Sequence, residues 1–227
     1  MPETYTLTNL IPNPSFERTA SWTGARYDTA QHQTGARSNR FPVGGTYVTS
    51  CAMPKPTAGH RYYGRMWYKT AGNNTPADCR FEWFAGDGAG LNFVFAWNNG
   101  DYPEWGAKSS VVEVTAVNGA SYVCRTFVVN ATAESWTDGL MIVDLTAAFG
   151  AGNEPDRAWC DTNLPFFEGT YTMEAYPMDD VVIDAAEITP NPAGINKPVA
   201  VSVAARAVKR LLLPEIRYAG EIFAGEI

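Results

Sequence analysis

Long runs of basic residues are missing from this chain, whose net charge is −7. Its 17 lysines and arginines are scattered, whereas a nucleic-acid-binding surface gathers such residues to neutralise phosphates, so we exclude DNA and RNA as partners. Apolar stretches of about 18 residues are also missing, and the opening residues, MPETYTLTNLIPNPSFE, show neither a basic nor an apolar leader segment. These absences predict a protein that is made in the cytoplasm and does not insert into a membrane.

Histidine and cysteine are scarce. His32 and His60 are the only histidines, and the sequence shows no nucleophile-elbow, metal-helix or phosphate-loop motif. We therefore predict that the chain is not an enzyme. The cysteines at positions 51, 79, 124 and 160 include no Cys-x-x-Cys pair, which argues against a zinc site. They are interpreted as buried free thiols, with one disulfide as the alternative if the mature protein meets an oxidising exterior.

Short segments of alternating apolar and polar residues fill most of the chain. Alternation is clearest in Arg61–Lys69 and Leu91–Trp97. Eight or more short strands separated by turn residues are typical of an all-β jelly-roll β-sandwich, which is the predicted fold class. A short helix is predicted at Glu154–Trp159, and three tryptophans are predicted to lie in the core: Trp22, Trp67 and Trp83. The other predicted strands are Thr46–Thr49, Cys79–Phe84, Val111–Val117, Tyr122–Asn130, Leu140–Leu145 and Val181–Ile188.

Three regions are predicted along the chain. Residues 1–188 form the sandwich, residues 189–194 form a linker fixed by two prolines, and residues 195–227 form an extended C-terminal assembly arm. Val199–Leu213 allows a helix by its Ala and Leu content or strands by its Val content, and we favour extended strands. The arm has too few contacts to fold alone, so its apolar residues are predicted to anchor it on neighbouring subunits: Leu211, Leu212, Leu213, Ile216, Ile222 and Phe223.

Aromatic and amide side chains are concentrated in the segment 97–105. Saccharides stack their C–H faces on flat rings and use nearby polar groups for their hydroxyls. The segment therefore contains the candidate carbohydrate-binding residues Trp97, Asn99, Tyr102 and Trp105. The alternative is that these aromatic residues pack in the core or against a partner subunit.

Several motifs occur in a fixed order over residues 7–188. Asn9-Leu-Ile-Pro-Asn-Pro-Ser-Phe-Glu17 precedes Trp22, and Thr34-Gly-Ala-Arg-Ser38, Ala58-Gly-His-Arg-Tyr-Tyr-Gly-Arg-Met-Trp67 and Met178-Asp-Asp-Val181 follow. Together they resemble the family 4/9-type carbohydrate-binding modules, which have a galactose-binding-like β-sandwich. That resemblance implies a fold without a reactive centre.

The same resemblance implies one structural calcium ion. In the family, a first-strand carboxylate, carbonyls of the following turn and an Asp of the last strand converge on the ion, which prefers oxygen ligands. The matching positions here are Glu17 with the carbonyl of Ser15, the 33–38 loop including Ser38, and Asp179, with Asp180 as the alternate ligand. The alternative is that Glu17 and Asp179 are ion-paired or hydrogen-bonded.

A second motif is Asp144-Leu-Thr-Ala-Ala-Phe-Gly-Ala-Gly-Asn-Glu-Pro155. It resembles a signature of tail and other structural proteins of bacterial viruses, and the Asn-Pro-Ser-Phe-Glu opening is similar to minor tail proteins. The resemblance implies a bacteriophage virion structural protein, most simply a minor tail protein, assembled in the host cytoplasm with other virion proteins and copies of itself. The alternatives are a carbohydrate-binding module that recognises host cell-surface glycan during adsorption, or a head decoration protein.

The signature segment is itself rich in glycine, asparagine and acidic residues. It lacks the alternating acidic positions of a calcium-binding EF-hand loop, so a tight turn is the favoured interpretation. Gly150 and Gly152 are predicted to adopt unusual backbone angles, Phe149 to pack in the core, and Glu154-Pro155 to begin a short helix.

Overall fold

A computed structural model describes residues 3–74, 78–85, 91–96, 100–189 and 200–212, of which 78–79, 91–96, 100, 175–189 and 200–212 are described by their backbone alone. The chain folds as two compact units, one formed by residues 6–172 and the other by residues 1–5 with 173–227. The described elements are, in chain order, β1 (Glu3–Thr8), β2 (Tyr27–Asp28), β3 (Ser38–Phe41), β4 (Thr46–Met53), β5 (Arg61–Thr70), β6 (Asn73–Asn74), β7 (Asp78–Ala85), β8 (Leu91–Ala96), β9 (Gly100–Asp101), β10 (Gly106–Glu113), β11 (Tyr122–Val129), β12 (Ser135–Asp144), α1 (Leu145–Phe149), α2 (Arg157–Asn163), β13 (Thr170–Thr189) and β14 (Ala200–Leu212).

Two antiparallel sheets enclose the core of the first unit. One sheet has the strand order β10-β5-β12-β3-β2 and the other β4-β11-β7-β8. The core receives side chains from both sheets, including Tyr62, Met66 and Leu140 from the first and Phe81 and Trp83 from the second. The predicted all-β sandwich is therefore confirmed.

Strand β5 shows how sequence alternation produces the two faces of a sheet. Tyr62, Met66 and Tyr68 lie on one side of the strand and point into the core. Trp67 belongs to the opposite set, so its predicted core position is wrong: it is half-buried on the outer face, with the Arg65 guanidinium 4.7 Å from its ring centroid.

Several strands begin earlier than their sequences predicted, and β13 does so by the most, since it begins at Thr170 rather than Val181. β12 begins at Ser135 rather than Leu140, because a register shift between Asp138 and Met141 interrupts the alternation on which the prediction rested. β10 begins at Gly106 rather than Val111. Its first residues have low strand propensity, and their pairing with β5 supplies the missing stabilisation.

The opening motif forms a cross-linked turn. Asn9 is buried and makes four hydrogen bonds: its amide group donates to the backbone oxygens of Leu140 and Phe167, and its carbonyl accepts from the backbone amides of Ile11 and Ile142. The two donor bonds are 3.0 Å long and the two acceptor bonds 3.2 Å. Asn9 therefore ties the start of the chain to β12 and to the loop after α2.

The rest of this motif is also structural. Asn13 has a positive φ of 53°, and its side chain bonds the backbone of Arg18 and Ala20. Phe16 is fully buried, with its ring centroid 4.9 Å from that of Trp22. The predicted core position of Trp22 is confirmed, and so is that of Trp83.

The signature segment from Asp144 to Pro155 forms the predicted tight turn. Gly150 and Gly152 have φ values of 84° and 81°, and Phe149 is buried. The Asp144 carboxylate caps α1 by accepting from the Ala147 amide at 2.9 Å. The predicted helix near 154–159 exists as α2, but it begins at Arg157 because Asp156 supplies its N-cap.

The described cysteines agree with the interpretation as thiols. Cys51, Cys124 and Cys160 are free and buried. Cys51 and Cys124 face each other across β4 and β11. Burial raises the pKa of the Cys160 thiol to about 12 and also raises that of Cys124.

The second unit contains a three-stranded sheet in the order β1-β13-β14. β13 and β14 are antiparallel, with a register shift between Ile183 and Ala185. The strand at Ala200–Leu212 agrees with the extended alternative favoured for Val199–Leu213, and it pairs within its own chain. The predicted linker after Thr189 lies outside the described residues, so the division at residue 188 stays a prediction. None of the described helices is long and apolar enough to cross a membrane.

Candidate functional site

Two carboxylates hold the loop at residues 33–38. Glu17 accepts hydrogen bonds from the backbone amides of Ala36 and Arg37 at 2.7 and 2.9 Å. The structure therefore brings this predicted calcium ligand to the predicted loop, as the resemblance implied. The loop groups that meet Glu17 are N–H donors, whereas calcium requires oxygen ligands. The contact corresponds to the hydrogen-bonded alternative.

The other predicted calcium ligands have protein partners or lie in the second unit. The Ser15 hydroxyl donates to Glu168, and the Ser38 hydroxyl donates to the backbone oxygen of Gln31. These bonds do not test the backbone carbonyls, which are the ligands predicted for Ser15 and the loop. Asp179 lies in β13 and only its backbone is described. Within the described part of the chain, no group of three or more His, Cys, Asp or Glu residues could hold a metal ion. The described side chains among these residues do not form a ligand set by themselves, and calcium binding stays a prediction.

Asp138, at the register shift of β12, is the second carboxylate on the loop. Its carboxylate accepts hydrogen bonds from the backbone amides of Gln33, Thr34 and Gly139, each at 2.7 Å, and from the Thr34 hydroxyl at 2.9 Å. Burial raises the pKa of Asp138 to about 6, although these hydrogen bonds favour its ionised form. No sequence motif marks Asp138, because its hydrogen bonds to the loop depend on contacts between distant parts of the chain.

The segment 97–105, which was predicted to bind carbohydrate, is described only in part. Tyr102 packs edge-on against Tyr68, with ring centroids 4.7 Å apart, and it lies against the core cluster. This packing matches the core alternative for Tyr102. Trp105 is half-buried. Trp97 and Asn99 lie outside the described residues, so saccharide binding by this loop stays a prediction.

Helices occupy the outer side of the five-stranded sheet. The Tyr63 hydroxyl donates to Asp161 of α2 at 2.8 Å, and the Arg65 guanidinium donates to the backbone oxygen of Leu164 at 3.2 Å. These bonds fasten α2 and the following residue over strand β5. The outer side of this sheet is thus covered by the chain itself.

The outer side of the four-stranded sheet is accessible to solvent. We call it the open face and define it by the outward residues of β4, β7 and β11, which the strand register aligns in rows. Val48 at its edge is 43% exposed. The open face consists of Val48, Ser50, Ala52, Arg80, Glu82, Phe84, Val123, Arg125 and Phe127.

Charged and aromatic groups form a network at the centre of the open face. Glu82 is completely buried although it points outward, because Arg80 and Arg125 both pair with its carboxylate. Arg80 lies 3.3 Å from Glu82. The Arg125 guanidinium carbon is 4.2 Å from the ring centroid of Phe84 and 4.9 Å from that of Phe127. The sheet thus holds planar charged groups against aromatic rings.

The predicted arm anchors are not tested by the described residues. Leu211 and Leu212 lie in β14, where only the backbone is described. Leu213, Ile216, Ile222 and Phe223 lie outside the described residues. Their role in assembly stays a prediction.

Similar folds occur among solved structures. No family model and no curated protein sequence matches the chain. Among solved structures, it is similar to a Family 16 Carbohydrate Binding Module-2, with 15% identity and a TM-score of 0.45 over 60% of this chain and 100% of the other. It is also similar to an arabinose-bound α-L-arabinofuranosidase, with 12% identity and a TM-score of 0.50 over 61% of this chain and 26% of the other.

A third similar structure is the enzymatically active domain of tailspike protein 4 of bacteriophage CBA120, with 12% identity and a TM-score of 0.46 over 60% of this chain and 21% of the other. The chain therefore spans about a quarter or less of the two enzyme chains. Identities this low show the fold alone. The described strands form the β-sandwich.

Proposed function

We propose that this protein is a non-catalytic, glycan-binding β-sandwich carried on a bacteriophage particle, and that the open face binds the glycan. The observation that carries the proposal is the arrangement of the half-buried Phe84 and Arg125 on an accessible sheet face, with Arg125 also packed against the buried ring of Phe127. Flat rings and guanidinium planes offer stacking surfaces for the C–H faces of sugars, while charged groups bond the hydroxyls.

The sheet also keeps these groups in place before any ligand arrives. Arg80 and Arg125 share the buried Glu82 carboxylate, and Arg125 is further packed against two phenylalanine rings. Side chains that are already ordered lose little conformational entropy when a ligand binds. An extended glycan laid across β4, β11 and β7 would meet this prearranged surface.

We expect Phe84→Ala to weaken glycan binding at least about tenfold, because it removes the half-buried ring that supports Arg125. The measurement is binding of the full chain to a glycan array and to host cell-wall material, followed by titration of the glycans retained. Phe166→Ala is the matched control, since Phe166 is also half-buried but follows α2 on the other side of the sandwich.

Trp105→Ala distinguishes the open face from the predicted loop. Loss of binding in Trp105→Ala, with Phe84→Ala unchanged, would move the site to the segment 97–105. A chain that binds no arrayed glycan and no cell-wall material contradicts the glycan-binding proposal.

The virion context is supported by the signature at Asp144–Pro155 and by the opening motif, both of which resemble bacteriophage structural proteins. We expect mass spectrometry of purified particles to detect the full chain. Deleting residues 195–227 should leave a folded sandwich that is absent from the particles, because the arm is proposed to bind neighbouring subunits. Normal incorporation of the truncated protein would rule out anchoring by this arm.

A further inference from the structure

We propose that Arg125 makes the open face selective for acidic saccharides, whose carboxylate or phosphate group it binds. This inference rests on the proposed glycan-binding function and names the ligand class for the same surface. It concerns a residue that the sequence patterns did not single out.

Arg125 uses only part of its hydrogen-bonding capacity within the protein. Its Nε donates to Glu82. Neither of its two Nη groups has a hydrogen-bond partner among the described residues, and the side chain is 32% exposed. A guanidinium has five N–H donors in a planar fork, so donors remain for a ligand on the solvent side.

The position of this guanidinium is fixed from two directions. Glu82 holds Nε from within the sheet, and the rings of Phe84 and Phe127 pack against the guanidinium at 4.2 and 4.9 Å. A fixed fork matches the geometry of a carboxylate or phosphate and binds it through two parallel N–H bonds. A neutral hydroxyl offers only one oxygen and no charge to the same fork.

The local charge also favours an anion. The Glu82 carboxylate faces two guanidinium groups, those of Arg80 and Arg125. An acidic sugar at Arg125 is therefore attracted locally, although the whole chain is negative.

The test compares tri-galacturonic acid with its fully methyl-esterified form, in which each carboxylate is replaced by a neutral methyl ester, alongside an array of neutral and acidic glycans. We expect acidic glycans to bind at least about tenfold more tightly than their neutral counterparts, since hydrogen bonds to charged groups are the stronger ones. Binding of the acidic members should weaken as salt rises, and binding of the neutral members should not.

Two substitutions test the residue itself. Arg125→Gln should abolish the preference for acidic members, and Arg125→Lys should retain part of it, because lysine keeps the charge without the fork. Arg157→Gln is the matched control: Arg157 pairs with Asp161 on α2, and its side chain is 64% exposed on the other side of the sandwich. Thermal melting of each variant shows that the fold is intact.

The outcomes separate this inference from the function on which it depends. Equal binding of acidic and neutral glycans, or an acidic preference that survives in Arg125→Gln, overturns the inference and leaves glycan binding in place. Binding of no glycan overturns both. Binding of free galacturonate or phosphate as tightly as the trisaccharide would also overturn it, because the site would then recognise the anion alone.

Discussion

Replacing Asn9 by alanine is expected to lower the free energy of unfolding by about 3–5 kcal/mol. The substitution removes a buried side chain that makes four hydrogen bonds. It leaves two backbone carbonyls and two backbone amides without their partners. Each buried group left unsatisfied costs about 1–3 kcal/mol, and partial relaxation keeps the total below the simple sum.

Chemical denaturation monitored by tryptophan fluorescence measures this loss. Asn153→Ala is the matched control, because Asn153 is exposed in the turn before α2. The control should change stability by less than about 0.5 kcal/mol. A loss below about 1 kcal/mol in Asn9→Ala would show that the four bonds contribute little to holding the opening segment.

Trp83→Ala is the second substitution with a large expected effect, a loss of about 3–5 kcal/mol. Trp83 is fully buried in β7, with its ring centroid 5.0 Å from that of Tyr62 in the opposite sheet. Its removal opens a cavity between the two sheets, which the surrounding side chains cannot fill without leaving their rotamers.

Trp83→Phe separates packing from hydrogen bonding. The indole Nε1 of Trp83 is buried and has no hydrogen-bond partner within the part of the chain that the structure describes. Phenylalanine removes that unsatisfied donor and keeps most of the ring, so we expect a loss clearly smaller than that of Trp83→Ala. Thermal melting of both variants gives the comparison. Equal losses would show that the indole N–H is stabilised in a way that this packing does not explain.

Much of the fold could be predicted from the sequence because it depends on local alternation. The faces of β5 follow from the period-two pattern, and the turn at Gly150 and Gly152 follows from glycine's access to positive φ. The bulge in β12 could not be predicted, since it reverses the alternation at Asp138 without a local signal. The same alternation places Trp67 on the outer face, but the large apolar side chain of tryptophan favoured a core position in the prediction.

The candidate site was harder to predict, because it depends on which strands pair. Alternation in β7 places Arg80, Glu82 and Phe84 on one face, and a similar pattern in β11 aligns Arg125 with Phe127. No local sequence pattern indicates that Glu82 lies opposite Arg125, or that α2 covers the other sheet. The aromatic segment at 97–105 attracted attention through composition alone.

The bonds of Asn9 also bear on when the protein folds. Its partners at Leu140 and Phe167 lie 131 and 158 residues further along the chain. During synthesis on the ribosome, the opening segment therefore cannot form these hydrogen bonds until almost all of residues 6–172 have been made. Closure of such distant contacts is slow, and strands exposed in the meantime can pair with other chains. The yield of native protein should consequently improve when synthesis is slowed or the temperature of expression is lowered.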